Sequence, residues 1–211
     1  MPFFSAPRLS DADALRGYAR VLVRAGLVDT ATCVQEVAVA AREDAGRAGA
    51  DAEAEARRLV EEERAALAVD RESWPTRTDY DALQDAFAVL TGAGFSVLQG
   101  VEDHWQAAAE IRAAGGTGLP GTGLPGTELP RTGLRGVVWF TPSDVWHAVD
   151  HGMLEINVWH PDSANIADGD PLCTEVLAAL DAQGLAAHFD EGRIEVRAFW
   201  HRRGDAGAGD A

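Results

Sequence analysis

The stretch VVWFTPSDVWHAVDHGMLEINVW, residues 137–159, decides the fold. It reads as strand, short helix and strand. Val137–Phe140 is a β-branched and aromatic run, the composition of a buried strand. Thr141 then suits a helix cap, Pro142 the first helical position, and Asp144 the acid of a capping box. Gly152 ends that helix after about two and a half turns. Met153–Trp159 alternates, with Leu154, Ile156 and Val158 on one face and Glu155, Asn157 and Trp159 on the other. The stretch speaks for a fold class and carries no activity of its own.

Outward toward the C-terminus, His160–Gly169 is a polar loop and Asp170-Pro171 starts a helix over Leu172–Gln183, closed by Gly184. Leu185–Phe189 and Arg193–Trp200 are predicted strands joined by a three-residue loop, Asp190-Glu191-Gly192. In the second, Ile194, Val196 and Ala198 share one face, and Arg193, Glu195 and Arg197 the other.

Outward toward the N-terminus lies GTGLP-GTGLP-GTELP-RTGLR, residues 116–135. Gly and Pro at that density hold neither helix nor ladder, so a mobile loop is expected, most simply a tandem duplication tolerated at the surface. Val101–Ala114 reads as a helix with Trp105, Ala108 and Ile111 or Ala109 inward, and Phe95–Gln99 as a strand. Thr78-Asp79-Tyr80-Asp81 opens a helix whose apolar face is Tyr80, Leu83, Phe87 and Leu90. Trp74-Pro75 breaks a charged helix over Asp51–Val69, where only Ala56, Leu59, Val60 and Leu67 offer apolar contact. Ala45–Ala50 is a linker.

The first helix is capped by Ser10 and ends at Gly26. Leu15, Tyr18, Ala19 and Leu22 form its stripe, and Arg16, Arg20 and Arg24 its wet side. Asp29 or Thr30 caps a second helix, with Cys33 or Val34, Val37, Ala38 and Ala41 inward. A short turn between the two predicts an antiparallel helical hairpin, preferred over a DNA-reading helix-turn-helix because of the charge balance.

The class is therefore α+β (mixed α/β): N-terminal helices packed on a sheet of about five strands with two or three helices. Residues 10–92 form the helical part and 93–203 the mixed part, with the Gly/Pro loop at 115–136. The whole reads as one continuous domain, with a disordered tail at 204–211.

Composition narrows the function. The formal net charge is −16, from 34 acids against 18 bases, and every base is arginine. The absence of lysine excludes a Schiff-base lysine and a phosphate-loop lysine. This acidity repels phosphate backbones, so no nucleic-acid partner is expected, and a basic protein partner fits. The N-terminus lacks the pattern of a signal peptide and no apolar run approaches a membrane span, so no membrane association and a cytoplasmic location are expected. Cys33 and Cys173 are too few for a zinc knuckle or a disulfide framework and read as core.

Asp144, His147 and His151 fall on one helical face, a spacing that suits a divalent metal. The structural reading competes: Asp144 is the capping acid, and His151 in the last turn complements the helix dipole. Trp146, Trp159 and His160 are candidates for an aromatic, titratable pocket, though neighbours on a strand point to opposite faces. No nucleophile elbow and no phosphate loop occur, and no cofactor is expected.

TDYDALQDAFAVLTGAGFSVLQG, GVVWFTPSDVWHAVDHGMLEINVW and LRGYARVLVRAGLVDTATCVQEVAVAARED together resemble a bacterial family, domain of unknown function 6891, over most of residues 10–203. The resemblance implies no activity. The resemblance implies a cysteine cluster after the strand corresponding to Phe95–Gln99. Here that place reads Gly100-Val101-Glu102-Asp103-His104-Trp105, so any metal or redox capacity of those cysteines is not expected in this chain. The reading is of a non-enzymatic protein- or ligand-binding domain with an acidic surface. The alternative is a metal-dependent enzyme using the Asp/His/His cluster.

Overall fold

The computed structural model describes residues 11–43, 46, 48–113 and 133–204. The Ser10 cap, most of the GTGLP repeat and residues 205–211 of the tail lie outside them. The described residues divide into two compact units, one from residues 11–74 with 203–204 and one within residues 75–202. The division falls at Trp74–Pro75, before the fourth helix.

The first unit holds α1 (Asp11–Ala25), α2 (Thr30–Glu43) and α3 (Gly49–Ser73). Asp29 begins α2: its carboxylate accepts from the Thr32 N–H at 2.7 Å and its carbonyl from the Cys33 N–H at 3.0 Å. Trp74, extended at ψ 147° ahead of Pro75, ends α3. Leu15, Ala19 and Leu22 on α1, Cys33, Val37, Ala38 and Ala41 on α2, and Ala52, Ala56, Leu59, Val60 and Leu67 on α3 are buried. Arg24 departs from the wet side predicted for it. Its guanidinium meets Glu63 at 2.5 Å and Asp70 at 2.7 Å, and its side chain is only 16% exposed. Periodicity places Arg24 at the edge of the α1 stripe, and the opposing acids of α3, far away in sequence, draw it in.

The second unit runs α4 (Asp79–Gly92), β1 (Phe95–Gln99), α5 (His104–Ala113), β2 (Gly136–Phe140), α6 (Pro142–His151), β3 (Met153–Trp159), α7 (Pro171–Asp181), β4 (Ala187–Asp190) and β5 (Arg193–Arg197). The sheet order is β1-β2-β3-β5-β4. β1 and β2 are parallel and the other pairs antiparallel, so the sheet is mixed and the fold α+β, as predicted. Alternation sends Val138 and Phe140 to the face packed by α4, where Phe140 stacks with Phe87 at 5.9 Å and meets Trp200 edge-on at 5.8 Å. Val137 and Trp139 point to the opposite face, under Ala107, Ala108 and Ile111 of α5.

Three local expectations change. Trp105, predicted inward, is 58% exposed. Asp103 caps α5 through the Gln106 N–H at 2.8 Å, and that start phases Ala107, Ala108 and Ile111 onto the sheet. Trp105 then lies about 110° away from the stripe. The β4–β5 turn holds two residues, because Asp190 pairs with Arg193. Glu191 (φ 40°) and Gly192 (φ 96°) both take positive φ, the signature of a turn that matches strand twist. Finally, β5 stops at Arg197. The following segment turns to α6, where the Ala198 N–H donates to Gly152 O at 2.9 Å and the Trp200 N–H to Ala148 O at 3.4 Å. The first satisfies the Gly152 carbonyl at the helix end, while Ala148 O already accepts from the Gly152 N–H at 3.2 Å.

Candidate functional site

The 137–159 segment folds as its residues dictate. The Thr141 N–H and hydroxyl each donate to Asp144 Oδ2 at 2.7 Å, and the Asp144 N–H donates back to Thr141 Oγ1 at 3.4 Å. Gly152 closes α6 in the left-handed region (φ 67°), and a side chain there would also meet the Phe199 ring at 2.7 Å. The Asp144 carboxylate is therefore engaged in the cap. His147 and His151 are exposed, with ring centroids 4.8 Å apart and planes perpendicular. Among the described residues no group of three or more His, Cys, Asp or Glu side chains is arranged to hold a metal ion.

Trp146, Trp159 and His160 sit on different supports. Trp146 is half-buried on α6. Trp159 is 6% exposed, packs edge-on against Trp139 at 4.7 Å, and donates from Nε1 to Asn165 Oδ1 at 2.6 Å. His160 Nε2 meets Asp170 Oδ2 at 2.8 Å, while Asp170 Oδ1 accepts from the Leu172 N–H and caps α7. Strand alternation thus directs the two neighbours to different partners, Trp159 into the core beneath α5 and His160 to the head of α7.

The structure brings residues distant in sequence together around a cleft. His151, Met153, His188, Glu195 and Arg197 line a cleft of about 380 Å³ at the start of β3. Glu195 stands opposite both Glu155 on β3 and His188 on β4, with His188 Nε2 at 3.6 Å from its carboxylate. Arg193 pairs with Glu155 one step along. The cleft offers donors on Arg197 and the imidazoles and an acceptor on Glu195, which suits a small polar ligand. The signal present in sequence was the outward row Arg193, Glu195 and Arg197. Its meeting with His151 depends on strand order.

The first unit carries two open grooves flanking α2. One, about 790 Å³ between α2 and α3, mixes Arg42, Arg57 and Arg64 with Glu53 and Glu61 over Val34, Ala38 and Val60. The other, about 390 Å³ between α1 and α2, is lined by Asp11, Glu36 and Glu43 over Leu15, Val39 and Ala40. Tyr18 lies in its wall, with its hydroxyl 3.5 Å from Glu36, and burial followed by the Glu36 charge raises its pKa. Both cysteines are buried and free. Burial, then the charge of Asp29, raises the Cys33 thiol; burial, then Asp168 and Asp170, raises Cys173. Neither is poised as a nucleophile at neutral pH.

A family model described as Domain of unknown function (DUF6891) matches residues 9–204. The chain belongs to this family. No curated protein and no solved structure matches it. In this DUF6891 chain the segment after β1 is built without cysteine: the Val101 N–H donates to Phe140 O at 3.1 Å, and Asp103 caps α5. No helix among its described residues is long and apolar enough to cross a membrane.

Proposed function

We propose that this chain is a non-enzymatic binding module of the bacterial cytoplasm that takes a basic protein partner, or a small polar ligand, on an acidic surface. The observation that carries the reading is the charge distribution. Residues 75–202 hold eighteen acids against seven bases, so they account for most of the −16 surplus. Such a field steers a cationic partner and disfavours phosphate backbones. The cleft of His151, His188, Glu195 and Arg197 supports the small-ligand form of the reading.

The test is capture of native-cell proteins on the immobilised full chain. Proteins of high isoelectric point should bind at low ionic strength and elute as salt is raised. Binding indifferent to salt removes the charge-based reading.

A second reading, a metal-dependent enzyme using Asp144, His147 and His151, is favoured by one observation, the close approach of the two exposed imidazoles. Under it, replacing both histidines by alanine abolishes zinc or manganese uptake without unfolding the chain. Unchanged metal content after that replacement removes it.

A further inference from the structure

The groove between α1 and α2 has a specific shape and charge. Its lining residues fall at matching positions on the two helices, 11, 14, 15 and 18 on α1 and 36, 39, 40 and 43 on α2. That spacing is the seam of a helical bundle, one face of each helix turned to a shared channel. Small side chains at Ala14 and Ala40 keep the channel open, buried Leu15 makes its floor apolar, and Val39 flanks it on the side shared with the neighbouring groove. Val39 is 39% exposed, an apolar side chain left in reach of solvent.

Among the described residues, the charged groups that line the groove are carboxylates alone. Asp11 and Glu43 line the same end because the two helices are antiparallel, and Glu36 stands near the other end beside Tyr18. Among the described residues no arginine lines this groove, whereas three line its neighbour across α2.

We propose that the α1–α2 groove seats a cationic amphipathic helix of a partner protein. Its apolar residues, spaced i, i+3, i+4 and i+7, would enter the seam, and its flanking arginines or lysines would meet Asp11, Glu36 and Glu43. The lined length corresponds to about two turns, roughly 10 Å of helix. A free helix that short is marginal in water, so the partner folds or docks it as part of a longer segment. The inference rests on the basic-partner reading above and adds the surface.

The test uses the full chain, isotopically labelled, and a synthetic helical peptide of about fourteen residues carrying leucine at that spacing and arginine on both flanks. Amide shifts should concentrate on α1 and α2. The D11N/E36Q/E43Q variant, which keeps size and fold, should weaken binding about tenfold at low salt, as expected for three exposed ion pairs. An Ala40→Leu variant, filling the seam, should weaken it independently of salt. A control peptide with glutamate in place of arginine should not bind. If the arginine peptide instead shifts residues within 75–202, the groove proposal is overturned and the basic-partner reading stands. No binding of the peptide anywhere at low salt overturns both. Self-association abolished by Ala40→Leu, with no peptide binding, overturns the proposal in favour of a second copy of the chain.

Discussion

Where residues 75–202 stack Phe87, Phe140 and Trp200 against one another, residues 11–74 bury Ala19, Ala38, Ala41, Ala52 and Ala56. The aromatic core fills the space between helix and sheet with a few large side chains. The alanine core lets three helices approach closely but leaves shallow seams between their outer faces, and the two grooves beside α2 are those seams. The helical unit also carries a polar contact, Arg24 held between Glu63 and Asp70. Burial works against the Arg24 charge, but the hydrogen bonds to Asp70 and Glu63 outweigh it and hold its pKa above the usual value. The difference teaches where each unit is vulnerable: one to loss of volume, the other to loss of a charge.

Phe140→Ala is the sharpest way to break that contrast. Removing the ring between Phe87 and Trp200 should cost residues 75–202 about 3–5 kcal/mol, read by hydrogen exchange across those residues. A loss below 1 kcal/mol would show that the aromatic stack is not what holds the unit.

Next in size is Arg24→Ala. It leaves Glu63, 14% exposed, without its cation and should destabilise the helical unit by about 2 kcal/mol, below the fully buried limit because Asp70 is half in water. The paired change Arg24→Met with Glu63→Leu should recover most of the loss in urea unfolding. If the pair is as unstable as the single variant, the alkyl packing of Arg24 matters more than its charge.

Gly152→Ala tests the junction of α6 and β3. The left-handed backbone alone should cost about 1–2 kcal/mol, and contact with the Phe199 ring adds to it. Adding Phe199→Ala should return only the contact part, because the backbone cost stays.

Thr141→Ala should cost about 1 kcal/mol, the usual value for a lost cap. Asp144→Asn separates the two roles of that residue: if Asp144 serves the cap, α6 frays in hydrogen exchange while metal uptake is unchanged.

The smallest effect is acid lability of the α2 cap. Hydrogen bonds from the Thr32 backbone N–H and hydroxyl lower the pKa of Asp29 below its ordinary value. A lowered folded-state pKa means that the ionised cap contributes above the unfolded-state pKa and is lost as pH falls through the folded-state value. Amide exchange in the first turn of α2 should therefore quicken in that acid window, and an Asp29→Asn variant should not show the change.

Features decided by near neighbours were legible in the chain. The helix start at Thr78 and the capping box of Thr141 with Asp144 both formed as read, and the structure closes a box at Thr78 with Asp81 as well, because each bond spans three residues. The alternation of Leu154, Ile156 and Val158 set the buried face of β3 for the same reason. Trp105 was misplaced because bulk and hydrophobicity argue for burial, while the Asp103 cap sets the phase of α5 and puts alanines on the sheet. The α6 candidates were legible as a helical face, but the engagement of Asp144 Oδ2 by Thr141 is a matter of bond geometry that residue spacing only suggests.

By itself, the sequence determined the order of helices and strands, the caps and stops of α4, α6 and α7, and the excess of negative charge. These follow from residue identity and from interactions within about one helical turn or one strand step. Tertiary structure alone decided the strand order β1-β2-β3-β5-β4, the draw of Arg24 toward α3, and the seam between α1 and α2. It alone brought His151 into one cleft with His188, Glu195 and Arg197. Each joins residues distant in the chain, and such contacts are chosen by which faces can be buried together and which charges that burial leaves to be paired.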